Sequence, residues 1–180
     1  MTGETLTPAQ LARQGKGAYQ QGNYSQAAGI FNAAQTGYDI VGDQLMAAEM
    51  ANNACVAYLQ AGDPQSALQA VEDTAMVFAS KGDIRRQAMA LGNMAASLEA
   101  LNRLGEAEAI YEQCIELLRP TKDDETRLLV IQALSALRLR QGRQLEALAT
   151  MQAGMDELQH PNLKQRLLKQ LLNIPFQTSR

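Results

Sequence analysis

The sequence predicts an all-α protein built from repeated helical hairpins. Glycine recurs on a 20-residue grid, at Gly22, Gly42, Gly62, Gly82 and Gly142. Alanine recurs with a period of 40 residues, at Ala27, Ala67, Ala107 and Ala147. A fixed period of about 20 to 50 residues is typical of stacked supersecondary units, none of which buries its apolar face alone. The two periods together predict turns of two alternating kinds.

The segments between the grid positions each predict one helix. They are rich in Ala, Leu, Gln and Met, and their apolar residues follow helical spacing, as in Leu91, Met94, Ala95 and Leu98. The eight predicted helices span about residues 7–20, 24–41, 43–60, 64–80, 83–101, 104–119, 123–140 and 144–159. They pair into four antiparallel hairpins.

The grid positions also predict where helices stop and start. Glycine accepts the left-handed conformation that ends a helix, and Asn102, Lys122 and Asn162 on the same grid tolerate a turn. An Asn or Asp that can cap the next helix follows most grid positions, at Asn23, Asp43, Asp63, Asp83 and Asp123. Pro161–Asn173 predicts a ninth helix with leucines on one side, which we expect to cap the last hairpin.

We therefore expect one solenoid domain with a regular internal division. The predicted parts are an N-terminal extension 1–7, repeats 8–47, 48–87, 88–127 and 128–160, a capping helix 161–173 and a tail 174–180. The chain has 180 residues, of which 46% are hydrophobic. That size and composition suit a short solenoid as well as a compact domain, and the even spacing of turns favours the solenoid.

Composition excludes several classes of function. The net charge of −3 disfavours general nucleic-acid binding. No apolar run approaches the roughly 18 residues that a membrane span needs, and the polar start lacks the pattern of a signal peptide, so we expect a cytoplasmic protein without membrane contact. Cys55 and Cys114 lie within apolar helical patterns and predict buried thiols, with neither a disulfide nor a metal site.

Aligned on the 40-residue period, the chain resembles the tetratricopeptide repeat (TPR) family in an extended form. The family's three small positions are occupied in all four repeats, by Gly15, Cys55, Ala95 and Ser135, by the four periodic alanines, and by Ala34, Thr74, Cys114 and Gly154. Its bulky position holds Phe31, Val71, Tyr111 and Met151. Small residues allow antiparallel helices to cross closely and large ones fill the space beside them. Arg138 departs from the pattern, since a bulky apolar residue is usual there.

The resemblance implies a right-handed α-α superhelix whose first helices line a concave groove for a peptide or helix of a partner protein. The implied groove residues are Arg13, Lys16, Tyr19, Asn52, Asn53, Val56, Leu59, Met89, Asn93, Ala96, Gln132 and Arg140. Asn53 and Asn93 occupy equivalent positions, where each amide offers a donor and an acceptor to a peptide backbone. The alternative is that these amides bond neighbouring helices.

The N-terminal end of the implied groove is basic. Arg13 and Lys16, near Tyr19, form a corner suited to an acidic side chain, or else a solvated helix face. The carboxylate-clamp members of the family bind chaperone C-termini, but two basic residues of that clamp are replaced here by Met89 and Asn93, which disfavours that ligand.

No residues predict catalysis or a cofactor. His160 is the only histidine and has no nearby nucleophile or metal ligand in sequence, and Gly15-Lys16-Gly17 lacks the spacing of a phosphate-binding loop. The sequence thus predicts a non-enzymatic adaptor with a protein partner and no metal or cofactor. The alternatives are a homo-oligomeric scaffold, built through the cap or the Met-rich flanks, and an assembly factor that docks onto a larger complex through its cap or convex surface, including the basic stretch Arg138, Arg140 and Arg143.

Overall fold

The computed structural model describes residues 6–157, and every regular element in that range is an α-helix. The helices are α1 Pro8–Gln20, α2 Tyr24–Ile40, α3 Gln44–Gln60, α4 Pro64–Val71, α5 Thr74–Ser80, α6 Ile84–Ala100, α7 Leu104–Leu118, α8 Asp124–Arg140 and α9 Gln144–Asp156. The all-α prediction is confirmed. The predicted capping helix and tail, and the grid position Asn162, lie outside the described residues.

The fourth predicted helix is wrong in one respect, because the segment 64–80 is interrupted. Glu72 and Asp73 form a turn between α4 and α5. The hydroxyl of Thr74 donates to the carbonyl oxygen of Val71 at 3.0 Å and lies 3.3 Å from Oδ1 of Asn52 on α3. A short polar side chain that bonds to nearby backbone competes with the helical pattern, which accounts for the break at this position.

The chain forms two compact units, Met1–Ile110 and Tyr111–Arg180, with the boundary inside α7. In the first unit α1 packs on α2, α2 on α3, α3 on α4 and α5, and these two on α6, while α3 also contacts α6. In the second unit α8 packs on α9. The predicted repeat boundaries and the single solenoid domain stay predictions.

The turns at the glycine grid have the expected conformation. The five grid glycines have φ between 68° and 80°, and Asn102, which replaces glycine in the same role, has φ of 59°. This left-handed region carries little penalty for glycine and is tolerated by asparagine. At Lys122 the turn is of another kind: the hydroxyl of Thr121 donates to the carbonyl oxygen of Leu118 at 2.7 Å and accepts from the N–H of Asp123 at 3.2 Å.

Four of the five predicted N-caps form. The carboxylates of Asp43, Asp63, Asp83 and Asp123 each accept a backbone N–H three residues later, at 3.0 to 3.1 Å. The prediction is wrong for Asn23, which occupies the N-cap position without a side-chain cap, because its amide instead faces Gln21 Oε1 at 3.4 Å. A capping carboxylate satisfies one of the N–H groups left open at a helix start.

The repeated small positions form part of the core. All twelve predicted small residues are buried. Of the four bulky positions, Phe31, Val71 and Tyr111 are buried and Met151 is partly exposed. Arg138, the departure from the family pattern, keeps a side chain only 15% exposed by bonding to Thr150 and to Glu112 Oε1 at 2.6 Å. Its charge is therefore paired within the second unit.

Candidate protein-binding groove

A pocket of about 500 Å³ lies between α1 and α3 in the first unit. We call it the α1–α3 pocket. Its lining includes five of the predicted groove residues, namely Arg13, Lys16, Tyr19, Asn53 and Val56. The remaining lining residues are Ala12, Phe31, Met46, Glu49 and Met50. The structure thus places Arg13 and Lys16 of α1 in the same pocket as Asn53 of α3.

The α3 side of the pocket follows from helical geometry. Glu49 and Met50 follow Met46 by three and four residues, and Asn53 and Val56 follow at further steps of three, so all five share one face of α3. Sequence reasoning did not place Met46 and Met50 in the groove, although the same spacing could have identified them. The thioether side chains adapt readily to different apolar partners. Met50 is only 3% exposed, so it forms the floor of the pocket rather than its rim.

The charges around the pocket are unevenly paired. Glu49 accepts from Nη1 of Arg86 at 3.2 Å, and Nε of Arg86 also donates to Oδ2 of Asp83 at 2.6 Å. The Arg86 guanidinium lies 5.3 Å from the ring centre of Phe78 as well. Arg13 and Lys16 are exposed and make no ion pair within residues 6–157. The one carboxylate of the pocket is therefore already engaged, whereas its two cations are open to a ligand.

The three predicted groove asparagines differ in their bonding. The amide oxygen of Asn52 lies 3.3 Å from the Thr74 hydroxyl, so it takes part in the packing of α3 against α5. Across the described part of the chain, the side-chain amides of Asn53 and Asn93 make no hydrogen bond. Both residues are partly exposed, so solvent or a ligand reaches them. Within residues 6–157 these two amides thus do not bond to neighbouring helices, and their role in a groove stays a prediction.

The backbone around Asn93 is held firmly. Its carbonyl oxygen accepts from the Ser97 hydroxyl at 2.9 Å, and the Cys55 thiol lies 3.9 Å from the same oxygen. The thiol is also 3.5 Å from the Ser97 hydroxyl. Burial raises the pKa of Cys55 above its ordinary value, because a thiolate would be poorly solvated there. This contact between α3 and α6 ties together the helices that carry the two free amides.

The other predicted groove residues have varied surroundings. Leu59 packs partly against the buried cluster of Cys55, Ala67 and Val71, so it also contributes to the core. Met89 is 51% exposed and Ala96 is partly exposed. Gln132 and Arg140 are exposed on α8, in the second unit.

Two further concave regions of the first unit were not anticipated from the sequence. One, of about 480 Å³, lies between α2, α3, α4 and α5 and includes Ala47, Ala51, Thr74 and Met76 in its lining. The other, of about 730 Å³, includes Leu68, Glu72, Met94 and Ile110. Small alanines along α3 leave the first of these open, because they cannot fill the space between helices.

Reactive chemistry has little support in residues 6–157. Within that range no group of three His, Cys, Asp or Glu side chains could hold a metal ion. Burial raises the pKa of Cys114 to about 12, so this thiol stays protonated at neutral pH. Lys16 lies inside α1, and Gly15 beside it is buried at a helix crossing, which is not the setting of a phosphate-binding loop. His160 lies outside the described residues.

None of the helices within residues 6–157 is both long enough and apolar enough to cross a membrane.

Comparison with known proteins identifies the fold. No protein-family model matches the chain, and no curated protein sequence matches it. Among solved structures, the chain is similar to the crystal structure of the nearly identical TPR-like repeats of a Podosopora anserina protein assigned as a kinesin light chain. The TM-score is 0.74 at 14% sequence identity, over 93% of this chain and 85% of that one. The protein therefore has the TPR-like helical-repeat fold, an all-α solenoid of packed helical hairpins.

Proposed function

We propose that this protein is a non-enzymatic interaction module that holds a peptide or helix of a partner protein in a groove lined by α1, α3 and α6. The observation that carries the proposal is that the side-chain amides of Asn53 and Asn93 make no hydrogen bond within residues 6–157. TPR-like folds generally mediate protein–protein interaction, which supports the class of function, while the groove itself is our inference. We also propose a cytoplasmic location.

The two amides suit the backbone of an extended segment. Each side chain presents an N–H donor and a carbonyl acceptor, which is the complement of one peptide unit. They occur 40 residues apart, at equivalent positions of α3 and α6, and these helices pack against each other. An asparagine inside a helix is less favourable than alanine, and within residues 6–157 no hydrogen bond to either amide offsets that cost. A ligand backbone would supply that compensation.

Apolar contacts would add the affinity that hydrogen bonds alone do not provide. Val56 and Met89 both reach solvent near the free amides, on α3 and α6 respectively. Met89 in particular can repack around ligand side chains of different shape. Arg13, Lys16 and Tyr19 extend the same surface along α1. The proposed groove thus combines adaptable apolar anchors with backbone-directed hydrogen bonds, as in other extended-peptide sites.

The test is affinity capture from an extract of the source cell, followed by calorimetry with the captured partner. The Asn53→Ala, Asn93→Ala double variant is compared with the native chain and with a Gln26→Ala, Gln113→Ala control, which removes two exposed helical amides outside the predicted groove. We expect the double variant to bind about tenfold more weakly than the control, since it loses up to four hydrogen bonds. Equal binding by all three proteins, each shown to be folded by circular dichroism, would contradict the groove assignment.

Self-association is the second candidate function. It is favoured by the exposed apolar side chains of Ile40, Val41 and Leu145, which are 81%, 66% and 83% exposed. The Met-rich flanks, which are Met46, Met50 and Met89, give weaker support, because Met50 is buried and Met89 is the one that is well exposed. Light scattering over a concentration series distinguishes the candidates: a mass that rises with concentration supports a homo-oligomer.

Docking of an assembly factor through the basic stretch has less support. Arg138 bonds to Glu112 and Thr150, and Arg143 pairs with Glu146, so both side chains are already engaged. Partner binding is compared between variants that reverse the charge of these arginines and the asparagine double variant. A loss of binding on charge reversal alone indicates docking through the basic stretch, and a loss in the double variant alone indicates binding in the groove.

A further inference from the structure

We infer that the α1–α3 pocket selects an acidic peptide segment, with an apolar side chain beside its carboxylates, through Arg13 and Lys16, and that the Glu49–Arg86 ion pair strengthens this selectivity. The inference rests on the proposed groove function and names the chemistry of its ligand. It is carried by the distribution of charge around the pocket.

The basic side chains of this region are concentrated at one place. Residues 1–80 contain two Lys or Arg side chains and seven Asp or Glu side chains. Both basic residues, Arg13 and Lys16, line the α1–α3 pocket. Their position therefore points to an anionic ligand at this pocket.

The two cations lie close together on one helix. Arg13 and Lys16 are three residues apart on α1, and like charges at that spacing weaken a helix slightly. Neither makes an ion pair within residues 6–157 that would offset the repulsion. Carboxylates of a bound ligand would remove it. Arginine can hold such a carboxylate through two parallel hydrogen bonds, which adds geometric specificity.

The Glu49–Arg86 pair keeps the pocket positive. Glu49 is the only carboxylate in the pocket lining, and a bound acidic segment would approach it. Arg86 holds Glu49 at 3.2 Å and is itself anchored by Asp83 at 2.6 Å and by the ring of Phe78. The ion pair neutralises the one repulsive group without filling the pocket. Arg86 thus acts on selectivity by positioning and neutralising Glu49, without contacting the ligand itself.

The rest of the lining explains why the ligand is a peptide with an apolar side chain rather than a small anion. Phe31, Met46, Met50 and Val56 provide apolar surface, and Tyr19 stands edge-on to Tyr24 with ring centres 5.2 Å apart. An inorganic anion gains no binding free energy from apolar surface, whereas a leucine or similar side chain is stabilised when it is buried there. Asn53 lies in the same lining and is placed to bond the backbone of that segment.

The test uses three short synthetic peptides that share a central leucine and differ only in flanking residues, which are Glu, Gln or Lys. Binding is followed by fluorescence anisotropy of a label at one end. We expect the Glu peptide to bind about tenfold more tightly than the Gln peptide, and the Lys peptide more weakly than both. The preference should shrink as salt rises, because the cations are exposed. Equal binding of the three, or no binding of the Glu peptide, overturns the inference.

Variants assign the preference to the named charges. Arg13→Gln, Lys16→Gln should remove the preference for Glu over Gln. Arg86→Gln should reduce it by about threefold because it leaves Glu49 unpaired, and Glu49→Gln added to Arg86→Gln should restore it. Arg103→Gln breaks a comparable pair with Glu106 outside the pocket and serves as the control. A preference that survives Arg13→Gln, Lys16→Gln, or a restoring change that fails in a folded protein, contradicts the inference.

The asparagine double variant separates the two proposals. We expect it to weaken all three peptides by the same factor, since backbone bonds do not depend on ligand charge. If the peptides bind equally well and the double variant weakens each, the charge inference fails and the groove proposal stands. If the Glu peptide is preferred and the double variant has no effect, the amide part of the groove proposal fails and charge selectivity stands.

Discussion

Gly15 on α1 and Phe31 on α2 approach so closely that a Cβ atom at Gly15 would lie 2.9 Å from two carbon atoms of the aromatic ring. Real Cβ atoms do not come this near a neighbour, so the ring or the helix would have to move. Phe31 is 5% exposed and belongs to a buried cluster that includes Ala28 and Met50, which limits its movement. The absence of a side chain at Gly15 is therefore what allows the first hairpin to close.

Gly15→Ala should destabilise the protein by about 1 to 2 kcal/mol. Overpacking costs about 1 to 3 kcal/mol, and the better helix propensity of alanine recovers up to about 1 kcal/mol. Gly29→Ala on α2 is the matched control, since a Cβ there meets nothing within 4 Å. We expect the control to stabilise by about 0.5 to 1 kcal/mol. Urea unfolding measures both, and a stabilised Gly15→Ala would contradict the packing argument.

Arg127 should be the most sensitive charged residue of the second unit. Its side chain is 5% exposed and donates to Glu157 and to Asp124, each at 2.8 Å. Arg127→Ala removes both charge-assisted bonds and buried methylene contacts, so we expect a loss of about 2 to 3 kcal/mol of unfolding free energy. Arg103→Ala, which breaks an exposed pair with Glu106, should have a much smaller effect. Chemical denaturation compares them, and equal losses would refute the role of burial.

Stability should fall in acid partly through the capping aspartates. The backbone N–H of Arg86 and its guanidinium hold the pKa of Asp83 below its ordinary value, and the hydroxyl and N–H of Ser66 do the same for Asp63. A carboxyl whose pKa is lowered in the folded state stabilises the fold at pH values above its unfolded pKa of about 4. This stabilisation is lost as the pH falls through the folded-state pKa. Asp83→Asn should therefore be less stable than native protein at neutral pH and lose less on acidification. Parallel pH curves in urea unfolding would contradict this.

Both cysteines should be unreactive in the folded protein. Burial raises the pKa of the Cys55 thiol, and raises that of Cys114 to about 12, so neither forms the reactive thiolate near pH 8. We expect Ellman's reagent to modify both thiols rapidly in denaturant and only slowly under native conditions. Mass spectrometry of the labelled chain identifies the site. Rapid native labelling of either cysteine would show that its helix opens readily.

Much of the fold could be predicted from the sequence because the information is local and repeated. The glycine grid specified turns by backbone conformation alone, and Asp43, Asp63, Asp83 and Asp123 specified helix starts by short-range hydrogen bonds. The small positions could be identified because the same crossing recurs in each repeat. Helix ends were accordingly predicted to within one residue, except at the C-terminus of α9 and at the break inside 64–80.

The sequence could not predict which polar side chains bond to partners on other helices. Asn52 and Asn53 are adjacent and chemically identical, yet Asn52 bonds to Thr74 and Asn53 makes no bond within residues 6–157. The break before Thr74 and the pairing of Arg138 with Glu112 are of the same kind. Each depends on a side chain brought close by packing, not on its neighbours in sequence.

The sequence by itself thus determined the helical repeat, its period and its buried small residues, since turn conformation and helix crossing depend on residue type at fixed spacing. Only the tertiary structure decided the character of the α1–α3 pocket, where Arg86, distant from Glu49 in sequence, pairs with that carboxylate and leaves Arg13 and Lys16 open. Charge pairing across helices depends on distances of a few ångströms, and these are set by packing.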